Sequence, residues 1–480
     1  MVTIPRLVIA APASGSGKTT VATGLMAAFT QRGLAVSPHK VGPDYIDPSY
    51  HGLAAGRVGR NLDPMLQGEA RVVPLLLHGA LVPEPADVAV IEGVMGLFDG
   101  QLGGSGFSST AHVARLVSAP VVLVVDCAAA SRSVGAVVHG FTTYDADVRV
   151  AGVILNNVAS PRHEAEVRAS LVRPGQESIP VLGVVPRLPE IVVPSRHLGL
   201  IPVAERTPEA VAAVDALATL IADHVDLDLL LSLASTAPDL DATPWSPSSL
   251  PDEVALVPDE VARAAERGGA NGPVVAVFGG PAFSFTYAEN VEQIAAAGAA
   301  VVTVDPLQGD RLPDNASAVV IGGGFPEMHL DALAANAELL EDVATFAAAG
   351  GPVVAECAGL LYLGRALDGV PMAEVVPMTA AMTKRLTLGY RRATALVDGP
   401  MVRAGEEVTG HEFHKTSVSY DEGSAAPAWS WDLHDGTPAT EGWVSGNVHA
   451  SYLHVHGAGH PEHAERLVAA ATEYAASVLA

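Results

Sequence analysis

Cysteine is nearly absent from this sequence, which has 480 residues and only two cysteines, Cys127 and Cys357. Two cysteines do not make a disulfide framework, and their scarcity favours a reducing, cytoplasmic compartment. Positive charge is scarce as well, since 27 Lys and Arg face 53 Asp and Glu for a formal net charge of −26. This acidic excess argues against nucleic acid and anionic membrane surfaces as partners.

Uninterrupted hydrophobic runs of membrane-spanning length are also lacking, although 49% of the residues are hydrophobic. The apolar start, Met1 to Ala10, runs directly into a glycine-rich turn. It has no basic beginning, no cleavage site and too short a length to span a bilayer. We therefore expect a chain without a leader or membrane anchor.

The pattern along the chain predicts an α/β protein with two doubly wound domains. In the first half, short β-branched runs alternate with alanine-rich helical stretches, which indicates a parallel sheet covered on both faces. Pro and Ser are then concentrated in Thr243–Ser249, and the alternation restarts at Val274. The predicted domains are residues 1–235 and 273–480, joined by a linker at 236–272. The alanine-rich stretch Ala332–Ala349 is predicted to be helical and to cover the core.

A glycine-rich loop follows the first predicted strand. Its sequence, Ala-Pro-Ala-Ser-Gly-Ser-Gly-Lys-Thr-Thr at 11–20, leads into an apolar helical stretch. Such a loop lets backbone N–H groups approach phosphates at a helix N-terminus. Pro12 stands where the usual motif has its first glycine. The residues predicted to bind ATP are Gly15, Gly17, Lys18, Thr19 and Thr20. The Thr19 hydroxyl is also predicted to bind Mg²⁺.

Charged and amide side chains follow other predicted strands at the same sheet edge. Lys40 and Asp47 flank a proline turn, and Glu92 ends the run Val88–Ile91. We predict that Lys40 assists the phosphates and that Asp47 and Glu92 are Mg²⁺ ligands, because Mg²⁺ prefers hard oxygen donors. Asn156 and Asn157 follow another predicted strand. They could read the adenine ring or simply favour turn geometry, and both readings stay open.

A cysteine nucleophile is predicted in the second half. Cys357 lies between the strand-like run ending at Ala355 and a helical stretch containing Gly359. A sharp turn at a helix N-terminus exposes a thiol and favours its thiolate. The amides of Gly323 and Gly324 could bind a tetrahedral oxyanion.

Three histidines near the C-terminal end, His449, His454 and His456, could each be the base. Their spacing does not rank them. The other cysteine, Cys127, has no chemical partner nearby in the sequence and is interpreted as a small buried hydrophobic residue.

Six blocks of the sequence carry a specific pattern. They are KVGPDYIDP at 40–48, EGVMGLFDG at 92–100, PSRHLGL at 194–200, GGGFPE at 322–327, GHEFH at 410–414 and SYLH at 451–454. Together they resemble the cobyrinic acid a,c-diamide synthase family, the corrin-ring amidotransferases, over nearly the whole chain. The resemblance implies a dethiobiotin-synthetase-like, ATP-binding P-loop domain followed by a class I glutaminase domain, with Mg²⁺ as cofactor. It also implies that His454 is the base.

The activity that the resemblance implies is ATP- and glutamine-dependent amidation of the a and c acetate groups of cobyrinate or hydrogenobyrinate. We assign Asp44 and Asp99 to this small-molecule substrate or its intermediate, and a homodimer stays open. Two residues depart from the wider class I glutaminases: Ala355 replaces a glycine, and His456 stands where a glutamate usually completes the triad. The alternatives are a cobyric acid synthase type of amidotransferase and a nucleotide-switch ATPase with an inactive glutaminase domain.

Overall fold

The structure is a computed structural model that describes residues 1–172, 178–187, 195–196, 199–200, 207–247, 272–424, 426–433 and 435–478. The chain forms two compact units, Met1–Pro64 with Gly68–Trp245, and Met65–Gln67 with Ser246–Ala480. The predicted linker at 236–272 stays a prediction because 248–271 lie outside the described residues. The same holds for Pro194, His197 and Leu198 of one family block.

The first unit is built on a seven-stranded parallel sheet. The sheet order is β3-β2-β4-β1-β5-β6-β7, and every neighbouring pair is parallel. An additional short antiparallel pair is formed by β8 and β9. The strands are β1 (Arg6–Ala10), β2 (Val36–Val41), β3 (Arg60–Leu62), β4 (Val88–Glu92), β5 (Val121–Asp126), β6 (Val150–Val158), β7 (Val181–Pro186), β8 (Ser195–Arg196) and β9 (Gly199–Leu200).

Helices connect these strands, as parallel neighbours require. β1, β2 and β4 are buried along their whole length. The alternation of strand and helix confirms the predicted doubly wound arrangement. The helices are α1 (Lys18–Gln31), α2 (Ile46–Ala55), α3 (Pro64–Gln67), α4 (Glu69–Leu81), α5 (Thr110–Leu116), α6 (Ser133–Thr143), α7 (Pro161–Leu171), α8 (Thr207–His224) and α9 (Leu227–Ala234). Of α3, only Pro64 belongs to this unit.

The second unit contains two sheets. Its strands are β10 (Val274–Phe278), β11 (Ala300–Val304), β12 (Ala316–Ile321), β13 (Val353–Glu356), β14 (Ala366–Leu367), β15 (Val370–Pro371), β16 (Met378–Ala395), β17 (Glu407–Tyr420), β18 (Trp429–Asp432), β19 (Pro438–Glu441), β20 (Trp443–Ser445), β21 (Val448–Ser451) and β22 (His454–Val455). Its helices are α10 (Ala288–Ala296), α11 (Leu330–Ala335), α12 (Ala337–Ala348), α13 (Ala358–Leu363) and α14 (Glu462–Val478).

The first of these sheets has the order β11-β10-β12-β13-β21-β20 and is parallel except for the pair β20–β21. Its strands alternate between two hydrophobic clusters. On β10, for example, Ala276 and Phe278 pack into one cluster, whereas Val275 and Val277 pack into the other. Because both faces are covered, the strands are apolar along their length, which is why the sequence pattern predicts them.

The second sheet is built around the long hairpin of β16 and β17 and has the order β15-β14-β16-β17-β22, with β18 paired to β16 and β19 paired to β18. The sequence pattern did not predict it. In the predicted helix Ala332–Ala349, the structure has α11 and α12 instead of one helix. Asn336 separates them, and its side-chain oxygen accepts the Leu339 N–H at 3.3 Å as the cap of α12.

Candidate active site

The phosphate loop connects β1 to α1, and two of its glycines adopt backbone angles that favour glycine. Gly15 has φ +78° and Gly17 has φ +95°. A Cβ atom on Gly17 would lie 2.2 Å from the side-chain nitrogen of Asn156, so only glycine fits there. That Asn156 nitrogen donates to the carbonyl of Ser16 at 3.0 Å. Asn156 therefore holds the phosphate loop here, and its role at the adenine stays a prediction.

Lys18 begins α1 and is folded back onto the loop. Its Nζ donates to the Met95 carbonyl at 2.6 Å and to the Ala13 carbonyl at 3.3 Å. Burial, and then the nearby charge of Lys40, lowers the pKa of Lys18 from its ordinary value. An anionic phosphate at this loop would offset both effects, because it would supply an opposite charge to two clustered lysines.

Lys40 lies between the two carboxylates that were predicted beside it. Its Nζ is 2.6 Å from Asp47 and 2.8 Å from Glu92. Burial disfavours the charged lysine, but these carboxylates raise its pKa above the ordinary value. The Thr19 hydroxyl donates to Glu92 at 2.6 Å and is 3.4 Å from Asp47. The structure thus brings Lys40, Asp47, Glu92 and Thr19 together at the carboxyl ends of β2 and β4.

His51 is a member of this cluster that the sequence reasoning missed. Its Nε2 is 2.6 Å from Glu92 Oε2, and both side chains are fully buried. Although burial opposes ionisation of Glu92, Lys40 and His51 hold the pKa of Glu92 well below its usual range. The available signal was helical spacing, since Asp47 and His51 are four residues apart on α2 and therefore share a face.

Asp44 and Asp99 shape the backbone of the two loops that carry them. Asp44 Oδ1 accepts the N–H of Ile46 at 2.7 Å and of Asp47 at 3.1 Å. Asp99 Oδ2 accepts the Gly96 N–H at 3.0 Å. These are local turn contacts of the kind that aspartate favours. Their predicted role at the substrate stays a prediction.

Two further residues lie near this edge. Asn157 adopts φ +59° within β6, which extends beyond the predicted strand end, and its amide donates to Asp126 of β5 at 2.9 Å. Cys127 is buried, and burial, followed by the charge of Asp126, raises the pKa of its thiol to about 11. A protonated thiol is a poor nucleophile, so Cys127 is the less reactive of the two cysteines.

Cys357 occupies a strained elbow between β13 and α13. Its backbone angles are φ +52° and ψ −100°, which a non-glycine residue rarely adopts. The Cys357 N–H donates to the Ser451 carbonyl at 2.7 Å, which ties the elbow to β21. A Cβ atom on Gly359 would lie 2.3 Å from the Ile321 carbonyl, so the helix packs closely against β12. This is the geometry of a nucleophile elbow.

His454 is the histidine that the structure brings to Cys357. Its buried ring stacks on His411 with centroids 5.0 Å apart, and its Nδ1 is 3.6 Å from Glu356 Oε2. Burial alone would lower the pKa of His454, but Cys357 and Glu356 raise it to about 10. The His454 imidazole therefore lies next to Cys357, as the predicted roles of nucleophile and base require.

The other two candidate histidines have different surroundings. His449 packs edge-on against Trp429 with centroids 5.2 Å apart, and burial lowers its pKa to about 3. His456 Nε2 is 3.6 Å from Glu289 and its ring lies against Tyr287. The hydrogen bond and the electrostatic interaction with Cys357 that raise a histidine pKa belong to His454.

The prediction that Gly323 supplies an oxyanion donor requires correction. Its N–H donates to the Phe285 carbonyl at 3.1 Å and is therefore already engaged. A Cβ atom on Gly323 would lie 2.5 Å from Cε1 of His454, so this glycine leaves space for the histidine ring. Within the described part of the chain, the amides of Gly324 and Ala358 donate to no backbone carbonyl. The sequence prediction did not include Ala358, which directly follows Cys357, although that position commonly supplies an oxyanion donor.

Comparison with known protein families identifies the class of protein domain in each of the two units. Residues 7–201 match the family described as the CobQ/CobB/MinD/ParA nucleotide binding domain, and residues 274–461 match the CobB/CobQ-like glutamine amidotransferase domain. With the phosphate loop and the cysteine elbow, these matches define a nucleotide-binding P-loop domain combined with a glutamine amidotransferase domain. The fold class predicted from the sequence is thereby confirmed.

Full-length relatives give the family. The chain is 53% identical to hydrogenobyrinate a,c-diamide synthase of Streptomyces coelicolor and 50% identical to that of Thermobifida fusca, with 97% of each chain covered in both comparisons. It is 39% identical to cobyrinate a,c-diamide synthase of a Synechococcus strain, over 95% of this chain and 96% of that one. The chain belongs to the a,c-diamide synthase family, as the sequence blocks indicated.

Among the described residues, no helix combines the length and the apolar character that crossing a bilayer requires.

Proposed function

We propose that this chain is a ligase that uses ATP and glutamine to amidate the a and c acetate carboxylates of a corrin-ring substrate. The observation that carries the proposal is the elbow cysteine beside a buried histidine in a chain that also has a phosphate loop at the start of α1. The names of the relatives supply the substrate class.

Metal-free hydrogenobyrinate is the ring substrate that we propose, ahead of cobyrinate. Relatives that are 48–53% identical carry the hydrogenobyrinate name, whereas those that carry the cobyrinate name are 39–42% identical. An assay with each ring as the only substrate tests this choice. Faster turnover of cobyrinate would contradict it.

The ATP half of the reaction follows from the chemistry of carboxylates. A carboxylate is a poor electrophile, so its oxygen first attacks the γ-phosphorus of ATP, and ADP leaves. The resulting acyl phosphate then accepts ammonia at carbon and releases phosphate. Lys18 and Lys40 stabilise the charge on the transferring phosphoryl group, and the loop amides of Gly15 and Gly17 bind the phosphates.

The site in the first unit fits Mg²⁺. Thr19, Asp47 and Glu92 offer hard oxygen donors, with the Thr19 hydroxyl 2.6 Å from one carboxylate oxygen and 3.4 Å from the other. These three residues would hold the ion. When bound, Mg²⁺ would neutralise charge on the ATP phosphates. Lys40, which contacts both carboxylates, would keep them oriented.

The glutamine half uses the elbow. The Cys357 thiolate attacks the carboxamide carbon of glutamine, and the amides of Gly324 and Ala358 bind the oxyanion. His454, as imidazolium, donates a proton to the departing ammonia and leaves a thioester. Neutral His454 then takes a proton from water, which attacks the thioester and releases glutamate and the thiol.

The direct test is an amidation assay with ATP, Mg²⁺, glutamine and purified hydrogenobyrinate, followed by mass spectrometry. The expected products are the monoamide and then the a,c-diamide, with glutamate and ADP formed in step with them. ATP hydrolysis without amide product would overturn the proposal in favour of a nucleotide switch.

A further inference from the structure

The missing acid of the glutaminase triad leaves open what orients His454. In this chain His456 occupies the sequence position at which class I glutaminases usually have a glutamate. The His456 ring is engaged with Glu289 and Tyr287, at 3.6 Å and with a ring-centroid separation of 4.3 Å. A histidine in those contacts does not supply the negative charge that the usual glutamate would bring.

A different acid reaches His454. Glu356 is the last residue of β13 and directly precedes the nucleophile. Its Oε2 is 3.6 Å from His454 Nδ1, and its Oε1 accepts the Val455 N–H at 3.3 Å. One carboxylate thus contacts both the ring and the backbone of β22. This double contact fixes the strand that carries the base relative to the strand that carries the nucleophile.

The alternation of β13 explains why Glu356 can make this contact. Val354 lies in one hydrophobic cluster, whereas Ala355 and Cys357 lie in the other, so Glu356 shares the face of Val354. Its side chain is only 15% exposed, and that of His454 is 1% exposed. In such surroundings a carboxylate interacts strongly with an imidazolium, because little water screens the charges.

We propose that Glu356 is the positioning residue for His454, so that the acid of this triad comes from the strand of the nucleophile instead of from the position two residues after the histidine. The inference rests on the proposed glutaminase reaction. Glu356 holds Nδ1 of the ring as a donor and stabilises the imidazolium, which leaves Nε2 for the exchange of protons with the thiol and the leaving ammonia.

The test is Glu356→Gln, which keeps the shape of the side chain and removes its charge. The glutaminase kcat should fall by at least about 10-fold, with little change in KM for glutamine, because substrate contacts are kept. The basic limb of the pH profile of kcat should move to lower pH. Loss of the carboxylate lowers the pKa of His454, so the imidazolium that protonates ammonia is lost sooner as pH rises.

Glu356→Asp is the conservative variant, since it keeps the charge on a shorter side chain. It should retain a basic limb closer to that of the unmodified chain than Glu356→Gln does, even if its kcat is lower. A merely structural role would affect both variants through thermal stability and would leave the pH profile in place.

Glu289→Gln is the matched control, because it makes the same change at a buried glutamate 3.6 Å from the neighbouring histidine. It should leave the basic limb unchanged. A shift with Glu289→Gln but none with Glu356→Gln would overturn the proposal. A glutaminase reaction that is absent from the unmodified chain would instead reject the proposed function itself, so the two failures are distinguishable.

Discussion

The two sites organise their polar groups in opposite ways. In the first unit, Lys40 and His51 contact the Glu92 carboxylate at 2.8 and 2.6 Å, and all three side chains are buried on ordinary strands and helices. In the second unit, Cys357 is held by a strained backbone and His454 by close packing, with the Glu356 carboxylate 3.6 Å from the histidine ring. A site for a highly charged nucleotide needs prearranged charge, whereas a site for a neutral carboxamide needs an accurately placed nucleophile.

Removal of the proposed base, His454, should have the largest effect of these substitutions, and it acts on the glutaminase site. His454→Ala is expected to lower the glutaminase kcat by roughly 10³-fold, because it removes proton transfer in both steps. A steady-state assay of glutamate release measures this. His449→Ala is the control, since that histidine lies against Trp429 and outside the site, and it should lower thermal stability while keeping the activity. Equal losses in both variants would contradict the assignment.

Removal of Lys18, the lysine of the phosphate loop, should lower the amidation rate by about 10²-fold or more, since one charged donor to the transition state is lost. Lys18→Ala is therefore expected to abolish most glutamine-dependent amidation. It should leave much of the glutaminase activity, because the lysine serves only the ATP reaction. Parallel assays of amide product and glutamate would show this. Loss of both activities would argue against separable chemistries.

A substitution that changes packing but not charge would separate these two effects at the glutaminase site. The new methyl group of Gly323→Ala would meet the His454 ring at 2.5 Å, so the ring must shift. Displacement of the His454 ring should lower the glutaminase kcat by up to about 10²-fold. Gly140→Ala is the control, because a Cβ there meets no atom within 4 Å. An active Gly323→Ala variant would show that His454 tolerates displacement.

The smallest effect should come from neutralising one metal ligand. Glu92→Gln keeps the side-chain shape but removes an anionic oxygen, so the Mg²⁺ concentration for half-maximal amidation should rise about 10-fold. A titration of amidation rate against Mg²⁺ measures it. An unchanged Mg²⁺ requirement would remove Glu92 from the metal site and leave it as a partner of Lys40.

The parts that the sequence predicted well are continuous in the chain. The phosphate loop and the elbow at Cys357 each consist of a strand, a turn and a helix, so neighbouring residues define them. Glu356 as a partner of His454 could not be predicted, because the contact joins two strands that are far apart in sequence. The role of Gly323 was misjudged for the same reason, since its N–H pairs with distant Phe285.

The sheet around the β16–β17 hairpin was missed because its pattern is irregular. β16 carries exposed Lys384, Arg385 and Leu386 in a register shift between Met382 and Thr387, and buried and exposed positions do not alternate there. A strand of this kind is stabilised by its pairing with β17, and pairing is not visible in local sequence.

If one chain joins two separable chemistries, ammonium should rescue the amidation activity of Cys357→Ala. The variant should lose glutamine-dependent amidation, because no thioester can form. A high concentration of ammonium salt at mildly alkaline pH should restore the amide product, since the ATP site needs only free ammonia. Normal use of glutamine by this variant, or a failure of ammonium to restore product, would contradict the account.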